Sequence, residues 1–140
     1  MTPTGGAPIS DLRQLDGAFA GTATLANGPD RCQRRLQFAM KVANGQVQGE
    51  VRDPRTPDAP PARFDGFIET DGAMATIIRA VGDVLVLRGR FRESRFEGML
   101  EPEEAINPRR DNPRPGESNL RFGSGTGYCN WTTRLFKQGA

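Results

Sequence analysis

The 140-residue chain has no histidine, one tryptophan, one tyrosine and two cysteines, and its 19 basic and 17 acidic residues leave a formal net charge of only +2. Without histidine, proton transfer at neutral pH falls to carboxylates, lysine, cysteine or tyrosine. Two thiols cannot supply the roughly four N or S ligands of a zinc site. The charge is too evenly balanced to act as the footprint of a nucleic-acid binder. No apolar run is long enough for a membrane-spanning helix. Residues 1–15 lack the basic start and apolar stretch of a leader, a property that a processed extracytoplasmic chain and a cytoplasmic one share.

What the chain does contain is a repeated five-residue phrase: apolar, spacer, glycine, spacer, apolar. It stands at residues 19–23, 47–51, 64–68, 87–91 and 96–100. Side chains alternate faces along a strand, so the apolar residues and the glycine of each copy point one way and the spacers the other. A glycine on a packed face costs stability, and its recurrence implies a sheet that coils sharply or brings backbones close together.

Residues 1–8 read as a disordered arm and residues 9–140 as one β-barrel domain. Ser10 caps a helical turn that runs through Leu15 and stops at Gly17. The first strand turns Phe19, Gly21, Ala23 and Leu25 to one face, and a loop over residues 27–33 follows. The second strand turns Leu36, Phe38, Met40 and Val42 inward. Asn44-Gly45 then predicts a two-residue hairpin pairing Val42 with Val47, Met40 with Gly49 and Phe38 with Val51. After a proline-rich loop, Phe64, Gly66 and Ile68 lead to a turn at Asp71-Gly72, which is expected to pair Ile68 with Ala75 and Gly66 with Ile77. A three-residue loop over 81–83 then pairs Ile77 with Leu87, with Leu85, Leu87, Gly89 and Phe91 inward. Around Glu93-Ser94, Phe91 meets Phe96, Gly89 meets Gly98, and Arg90 faces Glu97. Residues 101–127 show no strand pattern, and a last strand over 128–137 carries Cys129, Trp131, Thr133 and Leu135 inward.

Eight short strands joined mostly by hairpins predict an all-β fold, an eight-stranded up-and-down antiparallel meander barrel, with a β-sandwich as the alternative. Alternation of direction sorts the connections. The tight turns at 44–45, 71–72 and 93–94 share a closed end, beside the helical turn. The loops at 26–33, 53–62, 81–83 and 101–127 share an open end. Cys32 and Cys129 both fall at that open end on the two neighbours of strand 1, so a disulfide between them is expected, which suits a periplasmic or secreted protein.

This arrangement resembles the calycin superfamily, the lipocalin- and avidin-type small β-barrels. In the lipocalins a helical turn plugs the barrel ahead of a Gly-x-Trp motif. Gly17-Ala18-Phe19 occupies that position here, and Arg134 in the last strand matches the basic residue that lipocalins keep near the ring. The resemblance implies a binding protein rather than an enzyme.

Candidate catalytic carboxylates, Glu101, Glu103 and Glu104, sit in a polar proline-rich segment with nothing apolar to shift their pKa values, so no catalysis and no cofactor are expected. Arg88, Arg90, Arg92 and Arg95 form an outward basic stripe. It lacks the exposed aromatics on which a nucleic-acid binder stacks bases. The expected function is that of a non-catalytic extracytoplasmic binding module recognising a partner protein or ligand through the open-end loops. Its candidate contacts are Arg31, Arg55, Arg109, Arg110, Arg114, Tyr128 and Trp131. The alternatives are a lipocalin-like carrier of a small apolar ligand and a hydrolase inhibitor.

Overall fold

The computed structural model describes residues 11–28, 32–56, 58–80, 83–103 and 129–139. The expected arm over residues 1–8 lies outside them. A 3₁₀ turn, Leu12–Leu15, precedes eight strands: β1 (Gly17–Asn27), β2 (Arg35–Ala43), β3 (Gln46–Arg52), β4 (Ala62–Phe67), β5 (Ala73–Ala80), β6 (Asp83–Arg92), β7 (Arg95–Pro102) and β8 (Asn130–Lys137). They form one antiparallel sheet in the order β4-β3-β2-β1-β8-β7-β6-β5. The first strand therefore pairs with the last, and β4 and β5 come side by side to make a nearly closed up-and-down barrel.

Period-two patterning carries straight into burial. On β2, Leu36, Phe38, Met40 and Val42 are buried while the residues between them are exposed. The Asn44-Gly45 turn has positive φ at both positions, 52° and 78°, which suits the right-handed twist of the strands it joins. Val42 pairs with Val47, Met40 with Gly49 and Phe38 with Val51. At the Glu93-Ser94 hairpin the pairs are Phe91 with Phe96 and Gly89 with Gly98. Those two glycines lie so close that a Cβ on Gly98 would stand 2.8 Å from the Gly89 Cα.

The barrel interior is filled by rings. Phe19 on β1 and Phe91 on β6 stand on different walls, yet their ring centroids are 5.2 Å apart in an edge-on contact, and Phe91 also meets Phe96 at 4.8 Å. Only Thr133, with a hydroxyl that has no partner, brings a buried polar side chain onto the inward face of a described strand.

The closed end is plugged as the sequence implies, with different residues doing the work. Asp11 caps the 3₁₀ turn, accepting a 2.9 Å hydrogen bond from the Arg13 N–H; Ser10 lies outside the described residues. Side-chain hydrogen bonds from the Arg13 guanidinium hold the Asp11 carboxyl below its ordinary pKa. Leu15 is buried in the core, and Asp16 accepts the Asn44 N–H at 2.8 Å, tying the plug to the first hairpin. The basic residue opposite Phe19 is Lys137, not Arg134. Its ammonium donates to the Gln14 carbonyl of the plug at 3.3 Å. Arg134 points outward, exposed, near Glu97 at 4.0 Å, because residues 134 and 137 differ by an odd number and so lie on opposite faces.

Strand β5 corrects the sequence reading in a second place. Its buried residues are Met74 and Ile78, whereas Ala75 and Ile77 face out. The turn before it holds three residues rather than two. Glu69 donates to the Ala73 carbonyl, Gly72 donates back to Glu69, and Gly72 has φ of 90°, the left-handed residue that closes a three-residue hairpin. The Asp71 carboxylate accepts the Ala73 N–H and stabilises this form. At the far end of β5, Ala80 pairs with Asp83, so two residues connect the strands and not three. The two one-residue differences cancel, and β6 keeps its expected inward face.

The glycine contacts differ in what a methyl group would strike. Gly98→Ala drives a Cβ into backbone, whereas Gly66→Ala meets the flexible Met74 thioether at 3.0 Å. Urea unfolding should therefore show a loss of about 2 to 3 kcal/mol for Gly98→Ala and under about 1 kcal/mol for Gly66→Ala.

Candidate recognition surface at the open end

Tight turns at one end and long connections at the other follow from the strand directions. The closed end carries the 44–45, 70–72 and 93–94 turns. The open end carries the connections over 28–34, 53–61, 81–82 and 103–129. Three of these four are long, and the described parts of two of them are held by specific bonds.

The first connection is fastened over the barrel mouth. A disulfide joins Cys32 to Cys129 with a Cα separation of 5.9 Å, and both residues are buried. It lies by the end of β1, where a register shift between Leu25 and Asn27 places one extra residue of β1 against β8. Two further bonds hold the same segment. Leu25 donates to the Arg34 carbonyl at 2.8 Å. The Trp131 indole N–H donates to the Gln33 carbonyl at 2.7 Å. Trp131 is fully buried, so it lies beneath the rim as an anchor, with no surface for a partner to touch.

The second connection begins at Asp53, which is only 4% exposed although charged. Its carboxylate accepts the Arg55 N–H at 2.9 Å and lies 3.4 Å from the Arg55 guanidinium. Thr56 donates to the Asp53 carbonyl and Ala59 to that of Thr56, so the segment is folded as successive turns. An aspartate satisfying its own turn in this way is the usual chemistry of an Asx turn. Arg55 projects outward from it with two thirds of its side chain exposed.

No protein-family model matches this chain, and no curated protein matches it.

Of the expected contact residues, Arg55 stands on the open-end rim and Trp131 below it. Arg31, Arg109, Arg110, Arg114 and Tyr128 lie outside the described residues. Arg34 and Arg35, which the sequence reading passed over, are exposed at the same rim, next to the fastened segment. No ion pair engages either of them among the described residues. Their signal was available: two adjacent arginines just past a loop cysteine and Gln33, at the start of a strand. Arg88 and Arg90 of the outward stripe are instead paired, with Glu101 and Asp71 respectively. Among the described residues no three His, Cys, Asp or Glu side chains group to hold a metal ion, and no helix is long and apolar enough to cross a membrane.

Replacing both cysteines by alanine should lower stability in urea unfolding by about 4 to 5 kcal/mol, since the bridge closes a loop of 97 residues. Trp131→Phe, which leaves the Gln33 carbonyl unpaired, should cost about 1 to 2 kcal/mol by the same measurement.

Proposed function

We propose that this chain is a calycin-like, non-catalytic binding module of an extracytoplasmic compartment, periplasmic or secreted, that recognises a partner protein or ligand through the loops at its open end. The observation that carries this reading is the contrast between the two ends. Turns of two and three residues close one end, while the other carries three long connections, one fastened by a disulfide and a buried tryptophan and one braced by a buried aspartate. Long connections on a rigid scaffold are where binding residues concentrate. Arg34, Arg35 and Arg55 give the rim a cationic side suited to carboxylates.

The packed interior favours recognition at the surface over carriage inside. An eight-stranded barrel is just wide enough to be filled by side chains or to hold one small ligand, and here rings from different walls meet across it. A disulfide between buried cysteines persists in oxidising compartments, which supports the assignment outside the cytoplasm. The plug, the strand order and the Phe19–Lys137 register support kinship with calycins.

The test is cross-linking mass spectrometry after incubation with an extracytoplasmic extract, comparing the full chain with a variant whose residues 105–125 are replaced by a short Gly-Ser linker. The variant should keep its melting temperature and lose the partner, and the full chain's cross-links should cluster at the open end. Equal capture by the variant, or cross-links confined to the closed-end turns, would refute the reading.

A further inference from the structure

The outer wall carries charged side chains on most strands, and an apolar row crosses it at β8, β1 and β2. Phe136 on β8 is 54% exposed, and the ladders place Ala20 of β1 beside it and Ala39 of β2 beyond. Side chains as small as alanine leave a depression. A hollow of about 470 Å³ lies over Ala18, Ala20 and Ala39 and is bordered by Lys41, Gln48 and Glu50. A second hollow of about 330 Å³ continues from it over the same Ala20 and Ala39 toward Thr22, Gln37 and Arg52. The larger one takes residues from β1 through Arg63 on β4, a breadth of four strands that a tightly convex wall does not offer. An exposed ring thus stands beside an apolar depression on the same wall of one chain.

Charges frame that row symmetrically. Beyond Phe136 the next residue across the ladder is Arg95 of β7, and beyond Ala39 it is Glu50 of β3. Two residues nearer the open end, the row of Arg134, Thr22 and Gln37 is flanked by Glu97 of β7 and Arg52 of β3. Toward the open end the sign therefore runs from positive to negative on the β7 side and from negative to positive on the β3 side. Within the chain these four residues form two surface ion pairs, Arg95 with Glu97 at 3.8 Å and Arg52 with Glu50 at 3.3 Å.

We infer that the β8–β1–β2 wall is the contact between two copies of this chain, related by a two-fold axis parallel to β1, with the Phe136 ring of each seated in the alanine hollow of the other. Rotation about that axis exchanges the two sides of β1 and keeps height along the strand. Phe136 then faces the partner's Ala39, Arg95 its Glu50 and Glu97 its Arg52, and every contact occurs twice, as an isologous interface requires. The ion pairs of the two copies meet with signs crossed and form a network in place of isolated pairs. A two-fold axis running across the strands matches the charges equally well, but it sets Phe136 against the partner's Arg134 and leaves the hollow unfilled. Burial of the ring in an apolar pocket decides between the two axes. An axis parallel to β1 preserves strand direction, so both open ends face the same side of the dimer. The inference rests on the barrel wall and not on the open-end loops.

Sedimentation velocity of the full chain, run from about 1 to about 100 μM, should show a monomer passing into a dimer, the behaviour of a small exchanging interface. Phe136→Glu and Glu50→Arg should each raise the dissociation constant by more than about tenfold. Adding Arg95→Glu to Glu50→Arg should recover most of that loss, because it restores opposite signs across the axis. Orientation is read from Thr24→Cys with a short bismaleimide cross-linker, the native cysteines being joined to each other. On the proposed axis each Thr24 faces its own copy, and the dimer should cross-link. With the axis across the strands, Thr24 faces the partner's Ala18 and lies about 20 Å along the strand from the partner's Thr24. Should Phe136→Glu melt well below the parent, the charge exchange and the cross-link decide. A chain monomeric throughout that concentration range, a dimer that Phe136→Glu and Glu50→Arg both leave intact, or a dimer that Thr24→Cys does not join would each overturn the proposal.

Discussion

Contact across the barrel is the constraint on which the rest of this structure depends. The rings of Phe19 and Phe91 touch from different walls, and Gly89 and Gly98 let β6 and β7 approach until no Cβ fits between them. A side chain at either glycine would push the strands apart, and the rings would lose the close packing on which dispersion contacts depend. The narrow interior decides two further things. It leaves little room for cargo, and it requires a cover at each end to keep water from the rings. The Leu12–Leu15 turn covers the closed end, and the segment held by Cys32 and Trp131 covers part of the other.

The two covers are built differently. The plug is local in sequence to β1 and is held by hydrogen bonds from Asn44 and Lys137, groups that water can also satisfy. The mouth is spanned by a covalent bridge between residues far apart in the chain and by a fully buried indole. Fastening a loop at its base while leaving its neighbours long is what a recognition surface needs, because binding then orders less chain and costs less entropy.

Legibility in the sequence varied with the kind of information involved. Strand faces were readable wherever a hairpin signal and a hydrophobic pattern agreed, as at Asn44-Gly45, where both select one register. They were misread at β5. Its stretch Ala73-Met74-Ala75-Thr76-Ile77-Ile78 is apolar on both faces, and Asp71-Gly72 suits a two-residue turn as well as the end of a three-residue one. The pairing of Cys32 with Cys129 was legible because strand order alone brings both beside the end of β1. Arg134 was misplaced by parity against Lys137. Of the candidate contact residues, only Arg55 and Trp131 fall among those described, and the period-two pattern that turned Trp131 inward already carried the signal of its burial, which its place near the mouth of the barrel overrode in the choice of contacts.

The sequence by itself determined the number of strands, their inward faces outside β5, the closed and open ends and the disulfide, since each follows from period-two alternation, turn chemistry and chain direction. Tertiary structure alone decided that the rings meet inside the barrel, that Lys137 rather than Arg134 meets the plug, and that β4 and β5 stand side by side without a backbone ladder. Those outcomes rest on distances between residues remote in the chain. Local patterning sets which way a side chain points, and only the closed sheet sets what it meets there.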